Sequence, residues 1–314
     1  MDKKDFLRVA DYTRADIAEV FDVAAKIKAK QKKGIPARLL EGKTLGMIFQ
    51  KSSTRTRVSF EVGMYQLGGY PLFLSANDLQ LKRGETVADT ARVLSRMVDA
   101  IMIRTYAHSE VEELAKYASI PVINGLTDSH HPCQIMADIF TIQEHRKKLK
   151  GITVAWVGDG NNVLNSWIEA APMVGMNLRM GVPGGYEPDK EILKYGLDLA
   201  KKEKTEMLLT DDPAEAVKGA DVIYTDVWVS MGQDAEKEKK LRDFRDFQIN
   251  AGLAKHADKD YIFMHCLPAH RGSEVSAEII DGPHSIIFDE AENRLHAQKA
   301  ILALHMLRGR KLKI

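Results

Sequence analysis

The stretch TLGMIFQKSSTRTR, residues 44–57, runs from an apolar segment into a turn rich in hydroxyl and guanidinium groups. Residues 44–50 have the length and composition of a buried strand, and a helical pattern begins near Thr56. A strand that passes through a polar turn into a helix is the repeating unit of a parallel sheet, because parallel strands need a crossover connection. This stretch therefore predicts an α/β fold.

The same alternation continues through the rest of the first half of the chain. Strands are predicted at residues 44–50, 70–74, 100–104 and 121–124, and helices at 14–33, 56–67, 86–97, 109–117 and 132–148. The last of these helices ends in a basic run, residues 145–150, where we place a domain boundary. Residues 1–147 are thus predicted to form one domain.

A second stretch, ITVAWVGDGNN at residues 152–162, restarts the pattern with a β-branched run and a Gly-rich turn. Strands are predicted at residues 152–157, 177–182, 207–210, 221–226, 261–265 and 285–288. Residues 290–310 form a long amphipathic pattern that begins acidic and ends basic, which is typical of a helix. The predicted architecture is two doubly wound parallel-sheet lobes joined by a helix, and such sheets bind ligands beyond the carboxyl ends of their strands.

Composition limits the classes of function. The 314 residues are 45% hydrophobic and carry a net charge of only +1, which argues against a nucleic-acid coat or a membrane-surface protein. Residues 1–17 lack the features of a signal or transit peptide, and no stretch has the roughly 20 apolar residues that span a bilayer. Two separate cysteines suit a reducing cytoplasm, which is the expected location.

The turn at residues 51–57 has the composition of a phosphate site. Hydroxyls, guanidiniums and backbone N–H groups at one helix N-terminus together bind anions. An ordinary helix cap explains one Ser or Thr, but not Arg55 and Arg57 where the helix dipole disfavours positive charge. The Gly-x4-Gly-Lys pattern of nucleotide-binding loops is absent, so a nucleotide is not implied.

Other predicted strand ends also carry chemical groups, each with a structural alternative. Arg104 ends a strand and could equally pair with a carboxylate. His131 precedes Pro132 at a helix start, so it is either a cap or a neutral hydrogen-bond donor. Cys266 follows the strand at 261–265 and is either a buried structural thiol or a nucleophile. A zinc site is disfavoured because no second pair of cysteines has the spacing of zinc ligands.

Together these segments resemble the aspartate and ornithine carbamoyltransferases. Ser53-Thr54-Arg55-Thr56-Arg57 is similar to the carbamoyl-phosphate signature of that family, and His131-Pro132-Cys133-Gln134 is similar to the second segment of the same site. The segment from Asp226 through Ser230-Met231-Gly232 resembles the amino-acid-binding flap of the ornithine branch, and His265-Cys266-Leu267-Pro268 resembles its catalytic loop. The similarity runs in order along nearly the whole chain, including residues 158–162 and 293–298.

The resemblance implies transfer of a carbamoyl group from carbamoyl phosphate to the δ-amine of L-ornithine, giving L-citrulline and phosphate. Carbamoyl phosphate would be bound by Ser53, Thr54, Arg55, Thr56, Gln80, Arg104, His131, Gln134, Cys266, Leu267 and Arg294. Ornithine would be bound by Asn162, Asp226, Ser230 and Met231. Arg55, Arg104, His131 and Cys266 would be catalytic, with no metal and no organic cofactor.

The resemblance also has consequences for domains and assembly. Because Arg294 would complete the anion site, residues 290–314 would pack back on the first, carbamoyl-phosphate-binding domain, which leaves residues 148–289 as the ornithine-binding domain. Gln80 corresponds to a residue that family members insert from a neighbouring subunit, so a homotrimer or a multiple of trimers with shared active sites is expected. The reaction would belong to arginine metabolism, with biosynthesis preferred.

Three alternatives remain open at the level of sequence. A sister transferase would act on putrescine, acetylornithine or aspartate, although aspartate's second carboxylate calls for extra basic residues in the flap. A dehydrogenase would use the turn at residues 158–160, but Val163 stands where the last Gly or Ala of the dinucleotide motif belongs. A non-catalytic relative would not need Arg55, His131 and Cys266 together.

Overall fold

The protein is described by a computed structural model that covers residues 2–76, 79, 84–229, 236–312 and 314. The chain divides into two compact units, residues 1–140 with 292–314 and residues 141–291. The sequence placed these limits at residues 147 and 290, a few positions away. No helix among the described residues is both long enough and apolar enough to cross a membrane.

Unit 1 is built on a four-stranded parallel sheet in the order β2-β1-β3-β4. Its strands are β1 Thr44–Phe49, β2 Tyr70–Ser75, β3 Ala100–Arg104 and β4 Val122–Leu126, and its helices are α1 Arg14–Lys32, α2 Thr54–Gln66, α3 Val87–Leu94 and α4 His108–Tyr117. Helix α5, Pro132–Arg146, begins in this unit and ends in the next. The β1 and β3 strands are neighbours whose last residues, Phe49 and Arg104, are register partners. This register brings the turn after β1 beside the end of β3.

Unit 2 contains a five-stranded parallel sheet in the order β7-β6-β5-β8-β9. Its strands are β5 Thr153–Val157, β6 Asn177–Gly181, β7 Met207–Thr210, β8 Val222–Thr225 and β9 Ile262–His265, and its helices are α6 Asn162–Met173, α7 Lys190–Glu203, α8 Pro213–Val217, α9 Lys237–Asp243, α10 Ala251–Ala254 and α11 Ala277–Ile280. The strand order reverses direction between β5 and β8, where an open sheet of this type binds ligands.

The last helix, α12 at Ile287–Met306, returns the chain to unit 1 from Glu292 onward. Within that unit, Asn293 accepts a hydrogen bond from Nζ of Lys28 at 2.8 Å, and Nδ1 of His305 lies 3.0 Å from the carbonyl oxygen of Lys4. Residues Ala300–Ala303 of this helix are completely buried. The predicted α/β architecture, with two parallel-sheet lobes and a C-terminal helix packed back on the first lobe, is confirmed.

One predicted strand, residues 285–288, is wrong. Ser285 makes only an isolated parallel bridge with Phe263, and α12 begins two residues later at Ile287. Asp289 and Glu290 lie in the first turn of that helix, where negative side chains interact favourably with the helix dipole. The apolar run therefore starts a helix instead of a strand.

Candidate active site

The turn after β1 forms the N-terminal end of α2 in unit 1. Ser53 is the N-cap of this helix, and its hydroxyl accepts a hydrogen bond from the backbone N–H of Thr56 at 3.2 Å. The first helical turn contains no acidic side chain. A helix N-terminus without a nearby carboxylate has a positive partial charge, so this end of α2 suits an anionic ligand.

Two guanidinium groups converge on the hydroxyl of Thr56. Nη1 of Arg104, at the end of β3, and Nη2 of Arg294, in α12, each lie 3.3 Å from Oγ1 of Thr56. Both arginines are deeply buried, with exposed fractions of 6% and 3%. Buried guanidiniums that share one hydroxyl are well placed to bind a doubly charged oxyanion such as a phosphate group.

His131 and Gln134 belong to the same cluster. His131 immediately precedes α5, is buried, and its carbonyl oxygen accepts the N–H of Gln134 at 3.1 Å. The amide oxygen of Gln134 accepts a hydrogen bond from Nη1 of Arg294, and its amide nitrogen donates to Asp138 at 2.7 Å. Sequence reasoning assigned Gln134 to the site but did not identify Asp138, which fixes the amide orientation.

The imidazole of His131 is held in its neutral form. Its pKa lies well below the usual value because the ring is buried and because Arg294, Arg104 and Arg55 place positive charge nearby. The same electrostatic contacts place His131 in one environment with Arg55, Arg104 and Arg294. A neutral imidazole donates one hydrogen bond without adding to the positive charge of the cluster.

Gln298 is a member of this cluster that sequence reasoning did not single out. With its amide oxygen turned toward Arg294, it accepts hydrogen bonds from Nε at 3.3 Å and from Nη2 at 3.0 Å, while its nitrogen donates to Ser59. Gln298 lies one helical turn after Arg294 in α12, and this spacing in the sequence could have predicted that their side chains are neighbours. The two neutral amides of Gln134 and Gln298 thus orient one guanidinium.

Cys133, by contrast, is a structural thiol. It is completely buried, its Sγ donates to the carbonyl oxygen of Asn124 at 3.3 Å, and burial raises the pKa of the thiol to about 12. Such a cysteine is not a nucleophile at neutral pH.

In unit 2, three polar side chains meet at the carboxyl ends of the strands. Asp226 follows β8, and its carboxylate accepts hydrogen bonds from the thiol of Cys266 at 3.0 Å and from the side-chain amide of Asn161 at 2.8 Å. Asn161 also caps α6 by accepting the N–H of Val163 at 2.9 Å. The sequence assigned Asn162 to the site, whereas the contact to Asp226 comes from its neighbour in the same motif.

The loop after β9 is held by a buried hydrogen-bond chain. Nδ1 of His265 accepts the N–H of Leu267 at 2.9 Å, and Nε2 lies 3.3 Å from the carboxylate of Glu274. Leu267 has φ of +58°, a left-handed conformation that is costly for a branched side chain. The His265 contact stabilises this strained residue beside Cys266.

Ligand atoms of Asp226, His265 and Cys266 all lie within 4.8 Å of one another, a distance that would suit a metal ion. Both ring nitrogens of His265, however, already have protein partners in Leu267 and Glu274. The thiol proton of Cys266 is engaged by Asp226. These contacts favour a hydrogen-bonded network here over a coordination site.

A buried ion pair lies next to this network. Nζ of Lys240, in α9, is 2.7 Å from the carboxylate of Asp159, in the turn after β5, and their side chains are only 4% and 11% exposed. Burial raises the pKa of the Asp159 carboxyl, and Lys240 partly offsets that effect. Sequence reasoning did not predict this pair, because the two residues belong to distant elements.

Three predicted site residues, Gln80, Ser230 and Met231, lie outside the described residues. Arg57, the second arginine of the turn after β1, is exposed and pairs with Glu61 at 3.0 Å. The remaining predicted residues fall into two groups, Ser53, Thr54, Arg55, Thr56, Arg104, His131, Gln134 and Arg294 in unit 1, and Asn162, Asp226, Cys266 and Leu267 in unit 2.

Comparison with known protein families also divides the chain into two domains. A model described as the carbamoyl-P binding domain of aspartate/ornithine carbamoyltransferase matches residues 4–144, and a model described as the Asp/Orn binding domain of the same family matches residues 150–305. The chain belongs to the aspartate/ornithine carbamoyltransferase family. The match to the Asp/Orn binding domain ends at residue 305 and so includes most of α12, whereas the residues of α12 from Glu292 onward belong to compact unit 1.

Individual carbamoyltransferases are similar over almost the full length. The chain is 62% identical over 301 residues to ornithine carbamoyltransferase of Carboxydothermus hydrogenoformans, covering 96% of this chain and 97% of that protein. It is 58% identical over 303 residues to the anabolic ornithine carbamoyltransferase of Pyrococcus furiosus, with 96% of each covered.

Solved carbamoyltransferase structures have the same fold. The ornithine carbamoyltransferase structure from Pyrococcus furiosus superposes with a TM-score of 0.95 at 57% identity and covers 98% of both chains. The structure of the anabolic ornithine carbamoyltransferase from Campylobacter jejuni gives a TM-score of 0.90 at 43% identity, covering 96% of this chain and 99% of that one.

Proposed function

We propose that this chain transfers the carbamoyl group of carbamoyl phosphate to the δ-amine of L-ornithine, producing L-citrulline and phosphate. The observation that carries the proposal is the convergence of Arg104 and Arg294 on Thr56 at the N-terminus of α2. Ornithine as the acceptor is supported by the names of the two relatives described above.

In this proposal the phosphate group is bound by the cationic cluster of unit 1. Ser53, Thr54 and Thr56 supply hydroxyl and backbone donors, and Arg55, Arg104 and Arg294 supply positive charge. His131 and Gln134 bind the carbamoyl end, where a neutral imidazole donates to the carbonyl oxygen. Donors fixed before the reaction stabilise the negative charge that develops on that oxygen.

The δ-nitrogen of ornithine forms a bond to the carbonyl carbon, and the bond from that carbon to the phosphate oxygen breaks. The amine reacts only when neutral, although a free alkylamine has a pKa near ~10. Nearby arginines favour the neutral amine, and Arg55 neutralises the departing phosphate, which carries away the proton that the amine loses. Carbamoyl phosphate is already activated, so the proposal includes no metal or organic cofactor.

The amino-acid end of ornithine is assigned to unit 2. Asp226 and Asn162, with Ser230 and Met231, bind the α-ammonium and α-carboxylate groups, and Cys266 and Leu267 contact the reacting groups. Cys266 acts as a hydrogen-bond donor in this scheme, since its thiol already donates to Asp226. The carboxylate of Asp226 suits the α-ammonium group of the acceptor.

We also propose a homotrimer, or a multiple of trimers, in which Gln80 enters the site of a neighbouring subunit. The reaction is assigned to arginine biosynthesis in the cytoplasm, and the anabolic relative in Pyrococcus furiosus supports the biosynthetic direction. The partners are the two small substrates, without nucleic acid or membrane.

A citrulline-formation assay tests the function. Carbamoyl phosphate is held constant, and ornithine, acetylornithine, putrescine and aspartate are compared in parallel by product analysis. We expect kcat/KM for ornithine to exceed that of each rival by about 100-fold or more, because a site built for polar groups rejects analogues that leave them unpaired. Equal or faster turnover of a rival, or no turnover of any acceptor, contradicts the proposal.

A further inference from the structure

Two neighbouring strand ends in unit 1 supply the candidate anion site. Arg104, the last residue of β3, is the register partner of Phe49, the last residue of β1. One position further, the backbone N–H of Gln50 donates to the carbonyl oxygen of Arg104 at 2.9 Å. The relative position of these two strand ends therefore decides where Arg104 lies with respect to the turn after β1.

One side chain of α4 joins the same two strand ends. Glu110 is half-buried in the first turn of that helix. Its Oε2 accepts a hydrogen bond from the hydroxyl of Thr105 at 2.5 Å, and its Oε1 accepts one from the side-chain amide of Gln50. Thr105 directly follows Arg104 and is completely buried, while Gln50 directly follows β1. A single carboxylate thus bridges the residues that follow β1 and β3.

Glu110 makes contacts beyond those of an ordinary acidic residue at a helix start. A carboxylate in this position commonly accepts the free N–H groups of its own helix. Here both oxygens are bound to side chains outside α4, and the N-cap residue, Ala107, forms no side-chain cap. An ionised carboxylate has only acceptor atoms, which matches one hydroxyl donor and one amide donor. The contacts of Glu110 therefore connect α4 to the strand ends.

We propose that Glu110 is a positioning residue for carbamoyl transfer, whose two hydrogen bonds hold Arg104 and the turn after β1 at the separation that a bound phosphate group requires. The inference rests on the proposed function, because it concerns the binding of carbamoyl phosphate. Groups that bind a reacting ligand must be held within about 0.5 Å of their productive positions by the residues behind them. Glu110 should therefore affect the binding of carbamoyl phosphate more than that of ornithine.

Steady-state kinetics of full-length variants tests this role. Glu110→Ala should raise the KM for carbamoyl phosphate about tenfold and leave the KM for ornithine within about twofold of the parent value. A merely structural loss would reduce the fraction of active enzyme, and so kcat, without changing either KM. Glu110→Gln keeps a side chain of the same length with an acceptor oxygen, and should restore most of the affinity. Glu112→Ala, at an exposed position of the same helix, should behave like the parent protein.

Thr105→Val removes one of the two contacts and leaves Glu110 in place, so the test does not depend on the folding of Glu110→Ala. The KM for carbamoyl phosphate should rise in this variant too, by about threefold. Calorimetric titration with inorganic phosphate separates the inference from the proposed function. If the parent protein forms no citrulline, the proposed function fails, while the phosphate affinity still decides the role of Glu110.

We expect both Glu110→Ala and Thr105→Val to bind phosphate more weakly than the parent protein, and Glu110→Gln to bind it nearly as well. The inference is overturned if Glu110→Ala and Thr105→Val keep the parent affinity for phosphate. It is also overturned if Glu110→Ala changes the KM values of carbamoyl phosphate and ornithine equally, or if Glu110→Gln is as impaired as Glu110→Ala.

Discussion

Nη2 of Arg294 lies 3.3 Å from Oγ1 of Thr56, a residue 238 positions earlier in the chain. Arg104 donates to the same oxygen at the same distance. A single hydroxyl therefore links the start of α2, the end of β3 and the C-terminal helix. This contact holds two buried guanidiniums together at the candidate anion site of unit 1.

Replacing this hydroxyl should weaken both the fold and ligand binding. Thr56→Val preserves shape but removes the acceptor of two charge-assisted hydrogen bonds, and we expect a loss of about 2 kcal/mol in the free energy of unfolding. The KM for carbamoyl phosphate should rise. Urea unfolding and steady-state kinetics measure these effects. Thr90→Val is the control, since Thr90 is also buried but its hydroxyl has no hydrogen-bond partner among the described residues. Equal effects of the two variants would exclude a stabilising role for the contacts of Thr56 with Arg104 and Arg294.

Arg55→Ala should abolish useful turnover while leaving the protein folded. In the proposed mechanism Arg55 neutralises the leaving phosphate, and loss of one such donor typically costs about 3–4 kcal/mol in the activation free energy. Purified protein is assayed for kcat, with folding checked by circular dichroism. Arg57→Ala is the matched control, because Arg57 lies in the same helix but pairs with Glu61 at the surface. A kcat for Arg55→Ala within tenfold of the parent value contradicts the assignment.

Mixing two inactive variants tests whether Gln80 acts across a subunit boundary. Arg55→Ala and Gln80→Ala chains, exchanged under mild denaturation, should regain some activity because mixed trimers contain sites with both residues intact. A mixture of Arg55→Ala with His131→Asn should regain none, since both residues belong to the same cluster in unit 1. If subunit exchange is verified and activity stays at the parental levels, each site is contained within one chain.

The buried pair of Asp159 and Lys240 should couple strongly in a double-mutant cycle. Asp159→Asn or Lys240→Met alone leaves one buried charge without its partner, which typically costs about 3–5 kcal/mol. The double variant should lose clearly less than the sum of the two single losses, as measured by urea unfolding. Arg271 and Asp281, an exposed pair in the same unit, provide the control and should show much weaker coupling. Simple additivity at Asp159 and Lys240 would falsify the proposed coupling.

Acid should destabilise unit 1 through its buried histidines. Burial lowers the pKa of His305 to about 4 in the folded protein, against 6.5 for an exposed histidine in an unfolded chain. The unfolded state therefore takes up the proton first, and stability that is present above pH 6.5 is lost as the pH falls toward 4. The contribution of His305 over this window is about 3 kcal/mol.

The measurement is urea unfolding between pH 4 and 7.5. His305→Gln should make stability less dependent on pH across this window, because the titrating ring is gone. His256→Gln is the control, since His256 is exposed. An unchanged pH dependence in His305→Gln would show that another group is responsible.

The sequence by itself determined the fold class and the kinds of chemistry at each strand end. Alternating strands and helices, the hydroxyl- and Arg-rich turn at residues 51–57 and the proline after His131 are local features, and local propensities do not depend on distant partners. The structure confirms the two parallel-sheet lobes. The roles of the site residues remain predictions, and the strand at residues 285–288 failed because an apolar run of four residues does not distinguish a strand from a helix start.

Only the tertiary structure decided which side chains meet. Arg294 reaches Thr56 because α12 returns to unit 1, and Arg104 reaches it because β1 and β3 are neighbours with Phe49 and Arg104 in register. The burial of Lys299 between two glutamines depends in the same way on the packing of three helices. Periodicity determines which face of an element is buried, but the element that covers that face is selected by strand order and packing, which act over the whole chain.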